Sequence, residues 1–387
     1  MSSFENVIDR RGSSSVKWDR TKEVFGYGDV LPMWVADMDF APPEPVIEAL
    51  KKRMEHPIFG YTYAGASTAG SIKDWMAKRH GWEIQSSWVQ YSPGVVPALA
   101  TIIQALTEPG DKVLIQSPVY PPFFNLVKEN GRVVENAQLV YRNGEYSIDF
   151  TAFEKALQNG VKLFLLCNPH NPGGRVWTKE DLTRIASLCK QYGVIIASDE
   201  IHSDLIYRPH RHIPIASLQE GDPDAIITCI APSKTFNLAG LQASAMITKN
   251  EELRNKIAGI HAKQGFFTLN ALGISAMEAA YRHGEEWLED VLAYLEENIA
   301  TTRTYLKEHL PSLHLVEPEG TYLLWIDCRE TGLSDEDLKD RLLRKGKLAL
   351  EEGTKYGQGG EGFVRMNIAC PKETLLEGLD RLRTALT

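Results

Sequence analysis

The sequence predicts an α/β protein built on a mainly parallel sheet. Between about residues 91 and 231, short apolar runs alternate with helical patterns, which is typical of parallel strands covered by helices. The chain has 387 residues, more than one small core requires, and beyond about residue 285 the pattern changes to a long amphipathic helix followed by strand-like runs. We therefore expect a large domain at residues 42–284 and a smaller α/β domain made of residues 1–41 and 285–387.

The clearest strand–helix–strand unit lies near the middle of the chain. The apolar run 161–167 predicts a buried strand, and Thr178 with Asp181 three residues later has the pattern of a capping box that starts a helix. Gly193 is a residue type that ends helices, and the β-branched run 194–198 then predicts the partner strand.

The other elements follow the same periodicities. Helices are expected over about residues 97–103 and 285–309, and strands over 225–230, 321–326 and 363–366. Residues 1–41 contain prolines and no clear helical pattern, so we expect this segment to pack across the smaller domain.

Composition and charge exclude several classes of protein. Hydrophobic residues make up 43% of the chain and charged residues 24%, as in ordinary globular proteins, and no apolar run approaches the length of a membrane span. The formal net charge of -9 does not indicate the basic character that is typical of proteins that bind nucleic acid. The polar start of the chain does not resemble a secretory signal, so we expect a cytoplasmic protein with a small-molecule partner.

The cysteines and histidines do not indicate a metal centre. The five cysteines are scattered, odd in number and without CxxC spacing, which argues against a disulfide framework and predicts buried thiols. His202, His210 and His212 lie close in sequence, but they lack a recognisable ligand spacing and a nearby cysteine pair. We therefore expect no bound metal.

Four short motifs each follow an apolar, strand-like run: Pro118-Val119-Tyr120, Asn168–Gly174, Ser198-Asp199-Glu200 and Pro232-Ser233-Lys234. In open α/β sheets, ligands bind at the carboxyl ends of the strands, so these motifs are expected to meet at one edge. Together they offer a lysine amine for an imine, a carboxylate for a pyridine nitrogen, an amide donor for a ring oxygen and an aromatic face for stacking. Pyridoxal phosphate needs all four groups, and Lys234, Asp199, Asn171 and Tyr120 would supply them.

Each of these residues also has an ordinary structural interpretation. Lys234 taken alone would be a solvated loop lysine, Asp199 the N-cap of a helix, Asn171 a turn asparagine and Tyr120 a core aromatic. Only their convergence at one predicted edge favours the cofactor. Glu200 is expected to serve the structure.

Two further features predict anion binding. Gly94, Val95 and Val96 stand at the start of a predicted helix, where free backbone N–H groups favour a phosphate, and Ser233 would add a hydroxyl. Arg365 is a lone arginine in an apolar strand, so its guanidinium needs an anionic partner. The α-carboxylate of an amino acid would fit as a bidentate ligand, and an internal salt bridge is the alternative.

These residues resemble the fold-type I, or aspartate aminotransferase-like, superfamily of pyridoxal phosphate enzymes over nearly the whole chain. Within it, the sequence is similar to the MalY/PatB group of cystathionine β-lyases, also described as cysteine-S-conjugate β-lyases. The similarity is carried by the motifs at 31–40 (LPMWVADMDF), 198–205 (SDEIHSDL) and 231–237 (APSKTFN).

The resemblance implies roles for particular residues. It implies Lys234 as the imine lysine, Asp199 and Asn171 on the cofactor ring, Tyr120 stacked on it and Arg365 on the substrate carboxylate. It further implies a substrate pocket lined near Ala36, and a homodimer in which Tyr61 reaches the phosphate in the neighbouring active site.

The sequence departs from the aminotransferase pattern in two places. Gln242, eight residues after Lys234, stands where many relatives have a phosphate-binding arginine, and His202 stands where a tyrosine is common. We still expect His202 among the cofactor-binding residues. The phosphate must then depend on Gly94, Val95, Ser233, Tyr61 or another cation.

The resemblance implies a carbon–sulfur β-lyase that cleaves L-cystathionine or related cysteine S-conjugates to a thiol, pyruvate and ammonia. An aminotransferase of class I or II is the alternative enzyme, because it begins with the same removal of the α-proton. A regulatory binding protein that retains the fold is the alternative from another class.

Overall fold

The computed structural model describes residues 3–387 and contains two separate main sheets with helices packed against them. Within this part of the chain, no helix is long and apolar enough to cross a membrane.

The strands, in chain order, are β1 Leu31–Pro32, β2 Val89–Ser92, β3 Lys112–Ile115, β4 Val133–Asn136, β5 Val140–Arg142, β6 Glu145–Ser147, β7 Val161–Cys167, β8 Ile195–Asp199, β9 Ile226–Ile230, β10 Ser244–Ile247, β11 His314–Val316, β12 Leu323–Asp327, β13 Leu348–Ala349, β14 Glu351–Glu352 and β15 Phe363–Asn367. The α-helices are α1 Val16–Asp19, α2 Thr21–Phe25, α3 Glu44–Glu55, α4 Ala66–His80, α5 Val95–Leu106, α6 Pro122–Glu129, α7 Phe150–Gln158, α8 Lys179–Tyr192, α9 Pro232–Thr235, α10 Glu251–Gln264, α11 Ala271–His283, α12 Glu285–His309, α13 Asp335–Arg344 and α14 Lys372–Leu386. Short 3₁₀ helices lie at Ser3–Glu5, Ser86–Trp88, Ile215–Ser217, Pro223–Ala225, Ala239–Leu241, Arg329–Thr331 and Gly353–Tyr356.

The larger sheet has seven strands in the order β2-β10-β9-β8-β7-β3-β4. Its neighbouring strands pair in parallel, except that β10 is antiparallel to both β2 and β9. Asp199 at the end of β8 stands in register with Cys167 on β7 and Cys229 on β9. The segments that follow these three strands therefore leave the sheet side by side, as expected for an open α/β sheet.

The helix after β7 confirms the predicted capping signals. Thr178 accepts a hydrogen bond from the N–H of Asp181, the Asp181 side chain accepts from the N–H of Thr178, and α8 ends at Gly193 with φ 66°. Glycine adopts this left-handed conformation without the clash that a Cβ would cause. The predicted helix at 285–309 and strand at 161–167 also have the predicted bounds.

The smaller sheet is antiparallel, with the strand order β11-β12-β15-β14. The N-terminal segment contacts this part of the chain through the parallel pairing of β1 with β13, where Leu31 is in register with Leu348. Near the start of the chain, the Phe4 ring lies 5.5 Å from that of Tyr294 on α12. These contacts agree with packing of residues 1–41 across the smaller domain, although the exact division of the domains stays a prediction.

Two expectations about local structure were wrong. The N-terminal segment contains α1 and α2, which have only four and five residues and are too short to show helical periodicity in the sequence. The strand predicted at 321–326 begins at Leu323, because Thr321 has φ 68° and breaks the extended conformation before it.

Candidate active site

Lys234 lies on the short helix α9, directly after the buried strand β9. Its Nζ donates a hydrogen bond to the carbonyl oxygen of Ala36 at 2.5 Å. Burial lowers the pKa of the Lys234 amine to about 8. The carboxylates of Asp37 and Asp199 oppose this shift, and the guanidinium of Arg365 reinforces it. A large share of neutral, nucleophilic amine is therefore present near pH 8.

Asp199 is buried at the carboxyl end of β8. Its Oδ1 accepts a hydrogen bond from the N–H of Ile201 at 3.1 Å, and burial raises the pKa of the carboxyl group to about 7. The alternative that Asp199 caps a helix does not apply, because residues 201–204 form turns rather than a helix. A buried carboxylate beside a lysine can hold a protonated ring nitrogen.

Glu200 has the structural role expected for it. It is fully buried, and its Oε2 lies 2.8 Å from Nε2 of His212 while Oε1 accepts from the hydroxyl of Ser198. Within residues 3–387, no cluster of three His, Cys, Asp or Glu side chains has the arrangement of a metal site. The five cysteines are buried free thiols, as predicted.

Asn171 and Arg365 are in direct contact. Nη1 of Arg365 donates to Oδ1 of Asn171 at 3.1 Å, and Nη2 donates to the carbonyl oxygen of Trp34 at 2.7 Å. Because the Asn171 oxygen is occupied in this way, its NH₂ group remains as the donor toward a ligand. This geometry fits the predicted amide donor.

The Arg365 guanidinium has no carboxylate partner among the described residues. It is buried on β15 and takes part in none of the ion pairs of residues 3–387, and its Nε has no hydrogen-bond partner there. The internal salt bridge that was the alternative is therefore absent from this part of the chain. A buried cation without an anion is costly unless a ligand supplies the charge.

Tyr120 brings a phenol ring to the site, and His202 brings an imidazole. Tyr120 is half-buried, and burial raises the pKa of its hydroxyl, which stays protonated. Burial lowers the pKa of His202 well below its usual value, and the cationic Lys234 and Arg365 act in the same direction. His202 is therefore neutral near pH 7, and its buried Nδ1 has no hydrogen-bond partner within residues 3–387.

The helix α5 begins at Val95, with Gly94 as its N-cap. The first N–H groups of a helix have no partner within it, so those of Val95 and Val96 are available to an anion. Pro97 follows in the first turn, where its missing N–H costs nothing.

One cavity of about 180 Å³ brings most of the predicted residues together. Its lining includes Ala36, Gly94, Val95, Val96, Tyr120, Asn171, Asp199, His202, Ser233 and Lys234. Gln242 also lies on the wall, with φ 51°. Among the lining residues, Lys234 is the only lysine or arginine.

Two predicted residues lie outside the cavity wall. Arg365 stands behind it, in contact with Asn171. Tyr61 is 99% exposed, and its ring lies 6.0 Å from that of Phe267. Tyr61 is not among the residues that line the cavity of its own chain, and its role across subunits stays a prediction.

The sequence interpretation missed the residues that hold the segment around Ala36. Asn367 donates from Nδ2 to the carbonyl oxygens of Val35 and Asp37, both at 2.6 Å. Asn237 accepts from the N–H of Met38 at 3.0 Å and donates to its carbonyl oxygen at 2.9 Å. The available signals were slight: Asn367 is two residues beyond Arg365 on the same strand, and Asn237 three residues beyond Lys234.

Pyridoxal phosphate fits the donor set of this cavity. An amine, a carboxyl group and a free amide donor meet beside a tyrosine ring, and the start of α5 offers N–H groups to a phosphate. The unpartnered buried Nδ1 of His202 is a further sign that the cavity receives a polar ligand. The fold and this site define a pyridoxal phosphate-dependent enzyme of the aspartate aminotransferase-like fold type.

Residues 29–382 match the family model of the class I and II aminotransferases, and the chain belongs to that family. It is 48% identical over 385 residues to cystathionine β-lyase PatB of Bacillus subtilis, covering 99% of this chain and 100% of that protein. A pyridoxal phosphate-bound structure from Clostridium difficile 630 is 45% identical with a TM-score of 0.98, covering 99% of both chains. The pyridoxal phosphate-bound C–S lyase of Staphylococcus hominis, complexed with L-cycloserine, is 33% identical with a TM-score of 0.92, covering 99% of this chain and 98% of that one. These similarities confirm the predicted family, fold and cofactor.

Proposed function

We propose that this protein is a pyridoxal phosphate-dependent carbon–sulfur β-lyase, which cleaves L-cystathionine or related cysteine S-conjugates with water to a thiol, pyruvate and ammonia. The observation that carries the proposal is the meeting of Lys234, Asp199 and Asn171 on one cavity, beside a buried Arg365 that has no carboxylate partner in residues 3–387. The choice of lyase is supported by the full-length similarity to a protein named cystathionine β-lyase.

The residues of this chain have separate tasks. Arg365 binds the α-carboxylate of the amino acid with the N–H groups that its protein partners leave unused. When bound, pyridoxal phosphate serves as an electron sink for the negative charge that develops at the α-carbon. Asp199 would hold the ring nitrogen of the cofactor, and the amide of Asn171 would donate to its ring oxygen.

Lys234 would hold the cofactor, and it has a second task whenever its amine is free. Its pKa of about 8 makes the amine a suitable general base near neutral pH, and it removes the α-proton. The same group, protonated after that transfer, can serve as the acid for a departing thiolate at the β-carbon. The site lies between the two predicted domains, since Lys234 follows the large sheet and Arg365 belongs to the small one.

The direct test uses purified protein with pyridoxal phosphate and L-cystathionine, without any keto acid. Pyruvate and free thiol are followed together, and the proposal requires that they appear in equal amounts. The Lys234→Ala variant is the matched control and should produce neither. Equal product formation by that variant would remove Lys234 from the mechanism.

An aminotransferase is the second candidate, because the family model is that of class I and II aminotransferases. Such an enzyme passes the amino group to a keto acid instead of releasing ammonia. If 2-oxoglutarate is converted to glutamate at the expense of an amino acid, while cystathionine alone yields neither thiol nor pyruvate, the protein is an aminotransferase.

We further propose a homodimer, in which Tyr61 of one subunit serves the phosphate in the site of the other. Support comes from large apolar side chains that are exposed close to Tyr61 in sequence, and from exposed Phe267, whose ring contacts that of Tyr61: the first group is Met54, Ile58, Phe59 and Tyr63. Exposed apolar clusters of this kind mark interaction surfaces. Cytoplasmic location is proposed with it, since the five cysteines are free thiols.

Mixing two inactive variants tests the exchange of Tyr61. In a 1:1 mixture of Lys234→Ala and Tyr61→Ala subunits, half of the dimers are mixed, and each mixed dimer has one site with both residues intact. Activity should therefore recover to about a quarter of the wild-type value after subunit exchange. No recovery in dimers shown by mass to be mixed would place Tyr61 in its own subunit's site or in neither.

A further inference from the structure

The carbonyl oxygen of Ala36 accepts two side-chain donors. One is Nζ of Lys234 at 2.5 Å, and the other is the hydroxyl of Tyr322 at 2.9 Å. Tyr322 is fully buried, and its ring lies edge-on to His202, with the centroids 6.0 Å apart. A carbonyl oxygen has two lone pairs, so these two donors saturate it.

The backbone before Tyr322 is strained. Thr321 has φ 68°, and a β-branched residue in this left-handed region is an outlier. Hydrogen bonds hold it there: its N–H donates to the carbonyl oxygen of Leu205 at 2.7 Å, and its own carbonyl oxygen accepts from the hydroxyl of Tyr207 at 2.5 Å. Strain of this kind persists where the surroundings over-determine it, and it often marks a functional site.

The position of Ala36 is fixed independently of Tyr322. Asn367 holds the carbonyl oxygens on either side of it, at Val35 and Asp37. The acceptor is therefore stationary, and the Tyr322 hydroxyl approaches it from a backbone that is locked in place. Burial raises the pKa of Tyr322 well above its usual value, so this hydroxyl remains a donor at every pH at which the protein would work.

We propose that Tyr322 is a positioning residue for Lys234. The Tyr322 hydroxyl occupies one lone pair of the Ala36 carbonyl oxygen and so leaves the free lysine amine a single direction in which to donate. With the amine held in this way, its own lone pair is directed consistently into the cavity. The hydroxyl also makes Ala36 a weaker acceptor toward the amine, which favours the neutral form. This inference rests on the proposed role of Lys234.

Tyr322→Phe removes the hydroxyl and leaves the ring. The Ala36 carbonyl can then accept more strongly from Lys234, so the amine should keep its proton to higher pH. Uptake of pyridoxal phosphate by the apoenzyme, followed by absorbance at a series of pH values, reports this midpoint without any amino-acid substrate. We expect the midpoint to rise by about half a pH unit in the variant, because only part of the effect of one lost hydrogen bond reaches the amine.

The charged groups around Lys234 are the same in the wild-type protein and in the Tyr322→Phe variant. Asp37 and Asp199 favour its protonated form, Arg365 opposes it, and the neutral His202 lies on the same wall. The loaded Tyr322→Phe enzyme should show kcat lowered by about tenfold and KM for cystathionine within about twofold, because the substrate carboxylate contact is untouched.

Tyr294→Phe is the matched control. This phenol is also buried and its oxygen accepts one hydrogen bond, from the N–H of Lys372 at 2.8 Å, but it does not contact Ala36. The pH midpoint of pyridoxal phosphate uptake and the kcat of the Tyr294→Phe protein should equal those of the wild type. Equal midpoints in Tyr322→Phe and Tyr294→Phe would overturn the proposal.

A conservative probe covers the case in which Tyr322→Phe does not fold. Site-specific 3-fluorotyrosine at position 322 keeps the shape of the side chain and makes its hydroxyl a stronger donor. The uptake midpoint should then move to lower pH, opposite to the phenylalanine variant, and an unchanged midpoint would contradict the inference. Failure of wild-type protein to cleave cystathionine would instead contradict the proposed function, and it would leave the uptake measurement informative.

Discussion

Replacing Asp199 with asparagine should stabilise the apoenzyme while it removes activity. The pKa of Asp199 is raised from 3.8 to about 7 by burial, so the folded chain disfavours the ionised carboxylate. The stability linked to the protonated carboxyl is fully present below pH 3.8, and it is lost as the pH rises through about 7. Asparagine has no charge to bury, so the stability of the Asp199→Asn protein should not depend on pH in this way.

The size of the effect follows from the two pKa values. Their difference is about 3 pKa units, and each unit corresponds to 1.36 kcal/mol. Asp199→Asn should therefore raise the free energy of unfolding by about 4 kcal/mol at pH 8, but by about 2 kcal/mol at pH 5, where only part of the ionisation has occurred.

Urea unfolding of the apoenzyme at both pH values measures the difference. Asp290→Asn is the control, since it makes the same chemical change at an exposed site on α12 and should leave stability nearly unchanged. The holoenzyme of Asp199→Asn should have lost most of its turnover. A gain of equal size at pH 5 and pH 8, or a loss of stability at pH 8, would refute the assignment of a buried, disfavoured carboxylate.

Three further changes test other parts of the site. Arg365→Lys keeps the charge but loses the bidentate fork, so kcat/KM should fall by about 30- to 1000-fold, mainly through KM; an unchanged KM would remove Arg365 from substrate binding. Uptake of pyridoxal phosphate by wild-type apoenzyme should rise about tenfold per pH unit up to about pH 8 and then level off, because burial lowers the pKa of Lys234; a midpoint near 10.5 would contradict this. Asn237→Ala should lower the free energy of unfolding by about 2–4 kcal/mol, measured with urea, since it loses bonds to Met38 and Phe40 and forces alanine to φ 57°; Asn237→Gly should lose less.

The sequence predicted that Lys234, Asp199 and Asn171 would meet, but it did not predict the residues that hold the neighbouring segment in place. Lys234, Asp199 and Asn171 each follow a buried strand of one parallel sheet, so topology alone brings them to the same edge. Asn367 and Tyr322 could not be found in this way, because they bind backbone carbonyls more than 280 positions away along the chain. Every residue type has the same backbone carbonyl oxygen. A hydrogen bond to that oxygen therefore leaves no pattern in the sequence.

In the fold, the elements that have local sequence signals were predicted, and the elements without such signals were not. The capping box of α8 and the long helix α12 have local signals, and both were located to the residue. The antiparallel direction of β10 has no such signal, because a short apolar run reads the same whichever way it pairs. The helices α1 and α2 were missed because one turn of helix shows no period.

The contact between Lys234 and residue 36 is made by a backbone oxygen, and this makes the position open to redesign. The Ala36 side chain lines the cavity but takes no part in that hydrogen bond. Valine, serine or threonine at this position would reshape the space beside the reacting group while the carbonyl stayed in place, held by Asn367. Position 36 can therefore be varied without removing the oxygen that accepts from Lys234, and a small library at this position would test whether its side chain affects which thioether is accepted.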